Sequence, residues 1–351
     1  MAVRCSRIRG SFAWALTLFS LLAVGHHCVA QEEPPVGFPE IVGIPQPGEI
    51  VPVQATGPQQ VESRLFGTIF DSIFGPDAPE TWHPLPFSTL LTEGWNESWV
   101  SSPNGSGGAP RQGWINAQDG NFYRLWWFTY SQGFNSAPKS DSFLGGYTLY
   151  SPFSRRFLLI TNVPFYVRNV PESGQPFHHP ANRDLPQGRP LSGVGNLMFT
   201  PRVLLHETQD LSVTAEMIVS TPTGTGPLGG SSTTLTPVLG FWTNVADGWV
   251  VRGGTGIQVP TRGGAESYIN QLAVGQTLTG HDVPIIGDFT WYVSTLISTP
   301  LDNAGNSHVS LTPGFRSHVG NNWYLLGGLQ VPVTKGRNND LDMIFWFMKA
   351  W

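Results

Sequence analysis

Cysteine is nearly absent: the 351 residues contain two, Cys5 and Cys28. Both fall in an N-terminal stretch with the layout of a cleaved secretory signal. Arg4, Arg7 and Arg9 precede an apolar run over 12–24, and Cys28-Val29-Ala30 offers small residues before a cut at Gln31. His26 and His27 stand where a lipobox needs small residues, so cleavage near Ala30 is expected in place of lipidation at Cys28. The remaining chain has no cysteine, which excludes disulfides and thiolate-bound structural zinc.

Charge is also scarce. Asp, Glu, Lys and Arg make up 12% of the chain, against roughly 25% in ordinary soluble domains. Removing the three signal arginines changes the balance from 19 basic and 24 acidic residues to 16 and 24, a net charge of −8. No basic tract suggests a nucleic-acid partner. Long apolar runs are missing too: after the signal, nothing approaches the ~18–20 continuous apolar residues of a membrane helix. Glycine (41) and tryptophan (13) are plentiful. Few charges, no spanning helix and many aromatics fit a membrane β-barrel, whose signal per strand is weak.

Four segments follow from composition. Residues 1–30 are the signal, and 31–60, rich in Pro, Gln and Glu, read as a flexible periplasmic leader. Within 61–120, Leu65, Phe66, Ile69, Phe70, Ile73 and Phe74 recur at helical spacing and predict a short amphipathic helix before Gly75-Pro76. That helix is expected to pack on the chain's own barrel; plugging the lumen or lying on the membrane are the other options. Trp82, Trp95, Trp99 and Trp114 follow among Gly, Pro and Ser without a period. Residues 121–351 are the barrel.

The barrel segment resolves into twelve strand candidates: 121–130, 143–152, 156–168, 193–206, 211–221, 232–244, 249–259, 266–280, 286–299, 307–319, 323–333 and 342–351. Twelve is even, as single-chain bacterial barrels require. Short connections alternate with mostly longer ones rich in Gly, Pro and Asn, the asymmetry of periplasmic turns and outer loops, which places both termini in the periplasm. In the third to seventh and ninth to eleventh strands, no odd-numbered position is charged. Arg168, Arg202, Glu216, Arg252, Asp288 and Arg316 all lie on the even face. The odd face is therefore expected to meet lipid and the even face the lumen. The eighth strand, with Asn270 and Gln276, is poorly patterned, and Pro201, Pro237 and Pro313 inside strands predict bulges. The last strand alternates Met343, Phe345 and Phe347 before Trp351. It looks like the C-terminal strand of bacterial outer-membrane barrels, the signal read by their insertion machinery, although Lys349 occupies a usually apolar position.

The stretch Gly193-Val194-Gly195-Asn196-Leu197-Met198-Phe199-Thr200-Pro201-Arg202 resembles the opening hairpin of outer-membrane proteins named for the MetA pathway of phenol degradation, with Asn196 in place of the usual aspartate. Gly256-Ile257-Gln258-Val259-Pro260-Thr261-Arg262-Gly263 is similar to that family's recurring strand exit, and the likeness covers about 121–351. Leu91–Trp95 and Gly113–Asn116 resemble leaders on related barrels of planctomycete-type bacteria. The resemblance implies a passive transporter of small, often aromatic molecules.

Enzyme motifs are not evident. No G-x-S-x-G, P-loop or H-E-x-x-H occurs. His178-His179 near Asp184 reads as a solvated loop and not as a metal site, and no cofactor is expected. The lumen offers better candidates. Arg202, Arg252 and Arg316 each fall near a short turn, at a common depth where they could form a cationic, anion-selecting belt. The competing reading pairs Arg202 with Glu216 and Arg252 with Trp242 across strands. Arg168, Tyr166, Asp288, His308 and His318 complete the lumen-facing set. The expected protein is an all-β, twelve-stranded transmembrane antiparallel barrel with a periplasmic leader and short helix. It would be a non-enzymatic outer-membrane channel for small solutes, with aromatic or anionic ones as candidates. Its partners would be the bilayer, the insertion machinery and those solutes. A non-conducting anchor or surface receptor, a rim-located enzyme and an exported soluble β-sandwich are the rivals. Oligomeric state is left open.

Overall fold

The computed structural model describes residues 81–136, 140–171, 177–178, 184–185, 191–225, 230, 232–302, 305–334 and 340–350, together with Gly67 and Phe70. The signal, the Pro-rich leader, Trp351 and nearly all of the expected helix lie outside the described residues.

Twelve strands form the wall: β1 Leu125–Ser136, β2 Ser140–Pro152, β3 Phe157–Pro171, β4 Met198–Glu207, β5 Leu211–Ser220, β6 Thr234–Ala246, β7 Trp249–Pro260, β8 Ser267–Thr277, β9 Gly287–Pro300, β10 His308–Gly320, β11 Trp323–Pro332 and β12 Leu341–Ala350. A short segment, Leu191–Val194, precedes β4 and pairs with β3 through Phe165↔Val194 and Tyr166↔Gly193. Every neighbouring pair is antiparallel, and β1 pairs with β12 from Leu125↔Ala350 to Phe134↔Leu341, so the sheet closes on itself. Closure removes the unpaired edges that an open sheet would expose.

The two faces follow the alternation read from the sequence. Phe199, Leu239, Trp249, Ile257, Leu311, Leu325, Leu329, Phe345 and Phe347 are exposed on the outside. Arg202, Glu216, Arg252, Ser294, Thr312 and Arg316 are buried within. The outer face is the reverse of a soluble domain's, while inside, apolar side chains such as Leu204, Trp242, Tyr292 and Leu326 are buried together with the charged ones. In β8 the parity flips, because Val274 pairs with Val251 and Val293. Leu272 and Val274 therefore face outward, and further along the strand the Tyr268 hydroxyl accepts from Thr255 at 2.9 Å.

Two expectations need correction. Bulges do not occur at the prolines: the β4–β5, β5–β6 and β9–β10 registers run unshifted past Pro201, Pro237 and Pro313. Pairing is skipped on one side, as between Phe199↔Val219 and Arg202↔Glu216, where the missing proline N–H has nothing to donate. Register shifts occur elsewhere, for instance between Leu204 and His206. The first strand also starts at Leu125 and not at residue 121, because Asn121 turns its carbonyl to Arg202 at 2.7 Å.

The outward face makes a direct prediction. Leu239→Arg, on the exposed wall of β6, should destabilise the barrel by ~2–4 kcal/mol if placed near a bilayer midplane. Equilibrium unfolding from lipid vesicles would measure the loss, and an unchanged midpoint would contradict an apolar surround.

Candidate functional site

The lumen is occupied by the chain's own segment 111–124. Ahead of it, residues 82–97 are clamped beneath the barrel. Leu85 and Glu207 exchange backbone hydrogen bonds at 2.9 Å, and Trp82 Nε1 donates to the Glu207 carboxylate at 3.2 Å. Arg156, fully buried in the β2–β3 turn, donates to the carbonyls of Glu93, Leu204, Leu205 and Pro86 at 3.0–3.2 Å. Arg155 donates to Glu207 at 3.0 Å.

Residues 102–110 cross the next short turns. Asp210 accepts the Ser106 amide at 2.6 Å, the Ser106 hydroxyl, and Asn244 Nδ2 at 3.0 Å. Burial pushes the Asp210 carboxyl up, but these hydrogen bonds and the Arg111 charge outweigh it and hold the pKa below its ordinary 3.8.

Past Arg111, which pairs with Glu207 and covers the Trp242 ring at 5.0 Å, the chain enters the barrel. Trp114 stacks on Tyr292 with centroids 5.0 Å apart, and the Ile115 amide donates to the Tyr292 hydroxyl at 3.1 Å. Ser294 Oγ donates to the Ile115 carbonyl at 2.7 Å. Asn116, with φ 56°, turns the chain back and donates to Thr312 and Gln330 at 2.9 and 2.8 Å. Gln118 donates to Glu216 at 2.5 Å.

Asp119 is the electrostatic centre of this segment. It accepts Arg252 Nη2 at 2.7 Å and Arg202 Nη1 at 3.5 Å, and the Tyr150 hydroxyl donates to it. Arg202 Nε also donates to Glu216 at 2.6 Å, in the cross-strand register Arg202↔Glu216. Arg252 lies opposite Trp242 in register, but its guanidinium stacks over Trp114 at 5.3 Å and donates to the Gln118 carbonyl at 2.8 Å.

The sequence candidates therefore divide. Arg202, Arg252, Glu216 and Trp242 meet the lumen segment. Arg316 and Asp288 face a separate cavity nearer the short turns. Asp288 accepts from His281 at 2.7 Å, and His281 stacks on His318 with centroids 4.2 Å apart. His308 opens β10 opposite Ser298. Tyr166 and Arg168 lie in β3, but their side chains fall outside the described residues. Phe345 and Phe347 face outward. No cluster of ligating side chains fit for a metal occurs among the described residues.

Sequence reading treated 75–120 as irregular and missed Asp119, Gln118, Arg111, Glu207 and Tyr292. One available signal was the inward glycines. A Cβ at Gly254 would lie 2.5 Å from Gln118 Cγ, and one at Gly275 would lie 2.9 Å from Trp114. Such bare wall positions are shaped for an occupant.

No family model and no curated protein matches the chain. Among solved structures, an outer membrane channel from Pseudomonas putida F1 is similar over 65% of this chain and 94% of that one, at 13% identity and a TM-score of 0.47. The KdgM porin in complex with disordered oligogalacturonate is similar over 64% and 99%, at 9% identity and a TM-score of 0.43.

Two predictions follow from the geometry. Asp119→Asn should cost close to the lower end of ~3–5 kcal/mol, since Arg252 loses its carboxylate but keeps carbonyl acceptors; denaturant unfolding measures it. Because the Asp210 pKa is depressed, its contribution is complete above 3.8 and is lost as pH falls through the lower folded-state value. Proteolysis within 102–110 should therefore stay slow at neutral pH and accelerate severalfold at that pH in Asp210→Ala.

Proposed function

We propose that this chain is an outer-membrane channel for passive passage of small solutes, with segment 111–124 as a plug that narrows or shuts it. The observation that carries the reading is a closed barrel with apolar side chains exposed outside and charged, hydrogen-bonded groups such as Arg202, Glu216 and Arg252 buried inside. A lumen lined by Arg202, Glu216, Thr214, Ser294 and Thr312 needs water or polar partners, and a solute path supplies the first when the plug is displaced. The membrane location, cleavage of residues 1–30, recognition of the Phe345, Phe347 and Trp351 strand by insertion machinery, and selection by the lumen arginines belong to the same proposal. Among the described residues an enzymatic reading finds no nucleophile–base pair to support it. The anchor reading draws on one specific observation, the filled lumen.

Conductance separates channel from anchor. Gly254→Leu places side-chain atoms where Gln118 lies, with its Cβ also 3.1 Å from the Leu239 carbonyl oxygen, and should displace the plug; the mobility of unboiled protein checks that the wall persists. The unaltered chain should show small or intermittent conductance in planar bilayers, and Gly254→Leu a severalfold larger one. If proteolysis shows 111–124 released and the variant remains silent, the barrel is an anchor.

A further inference from the structure

Near the short turns, a cavity of about 330 Å³ separates the leader from the wall. Exposed Ser101, Asn104 and Asn322 form its rim, and buried Arg316, Tyr324 and Met348 its floor. Arg316 is the feature that the plug does not account for. It is 2% exposed, yet its Nε and Nη1 have no hydrogen-bond partner. Arg202 and Arg252, equally buried, each have a carboxylate within 2.7 Å. Arg316 has the Tyr324 side chain, whose ring lies 3.8 Å from its guanidinium carbon, and the charge of Asp288 nearby, but neither supplies an acceptor to Nε or Nη1.

We propose that this cavity binds a small, singly charged organic carboxylate, with its oxygens on the Arg316 guanidinium. The planar donors of arginine match a carboxylate, and the hydrogen bonds are charge-assisted. The single charge follows from Asp288, which lines the same cavity and is held there by His281 at 2.7 Å. A dianion such as phosphate would face that second negative charge at close range. Arg111 and Arg124 on the walls favour one anion. The volume lies at the small end of ligand pockets, which limits the guest to a compact molecule. Any role of the site in solute passage rests on the channel reading, whereas binding does not, so the two can fail separately.

The test uses the folded full chain in deuterated detergent, with binding followed by saturation-transfer NMR. Butyrate is compared with butyramide, its uncharged counterpart, and with inorganic phosphate. Butyrate should bind at least tenfold more tightly than butyramide. Arg316→Gln should bring the two within twofold, and Arg316→Lys should retain part of the preference. Folding of each variant is checked by the mobility of unboiled protein. Equal binding of butyrate and butyramide to the unaltered chain overturns the proposal, as does a preference that survives in Arg316→Gln. Should that variant not fold, the unaltered chain decides: butyrate favoured over butyramide, with phosphate at least fivefold weaker than butyrate, upholds the site, and any other order overturns it.

Discussion

The interior depends on a buried charge that the wall cannot neutralise alone. Arg252 lies opposite Trp242 on one side and Ala273 on the other, so its strand neighbours supply no carboxylate. The acid it needs, Asp119, arrives on the segment that fills the lumen. A buried guanidinium without its partner is strongly destabilising, so wall and plug form one electrostatic unit. Arg202 joins them by contacting both Glu216 on β5 and Asp119 on the plug.

Shape reinforces charge. Gly240 and Gly254 leave room for the Gln118 side chain, and Gly275 leaves room for the Trp114 ring. Gly120 has φ 64° and passes so close to Phe241 that a Cβ would lie 2.2 Å from its backbone. Both the positive φ and the contact require glycine there. The plug is thus fitted closely to β6, β7 and β8 by shape, while its polar side chains reach β2, β4, β5, β10 and β11, and it is not a loose filling.

The wall was legible in the sequence because strand periodicity is a local property. Trp249, Val251 and Ile257 alternate with Val250, Arg252 and Gly256, and two-residue spacing alone assigns their faces. The C-terminal alternation of Phe345 and Phe347 was visible for the same reason. The prolines were misjudged because their effect depends on which edge of the strand lacks a bond, and that is a matter of pairing. The plug was invisible because its structure is set by partners far along the chain: Asp119 meets Arg252, Asn116 meets Gln330, and Arg111 meets Glu207. An isolated stretch such as Gln112–Tyr123 has no period to read. The inward glycines of β6, β7, β8 and β11 carried the trace of it, as an unexplained absence of side chains.

The kind of contact that holds the plug bears on how it can function. A segment sealed in by apolar packing would expose that surface on leaving, at a cost proportional to its area. This plug is held also by hydrogen bonds and ion pairs, through Asn116, Gln118, Asp119 and the carbonyls of Gln118 and Asn121. Water entering a polar lumen can replace the neutral hydrogen bonds among these, each worth only ~1 kcal/mol net, whereas the Asp119–Arg252 pair costs more to part. Trp114 on Tyr292, with the buried Ile115, Phe122 and Tyr123, supplies the apolar share of the hold. Polar contacts of this kind make the closed arrangement specific without making it irreversible. On the proposed channel reading, the same polar lining that secures the plug would hydrate the passage once the plug moved, so closure and wetting would draw on a single set of side chains.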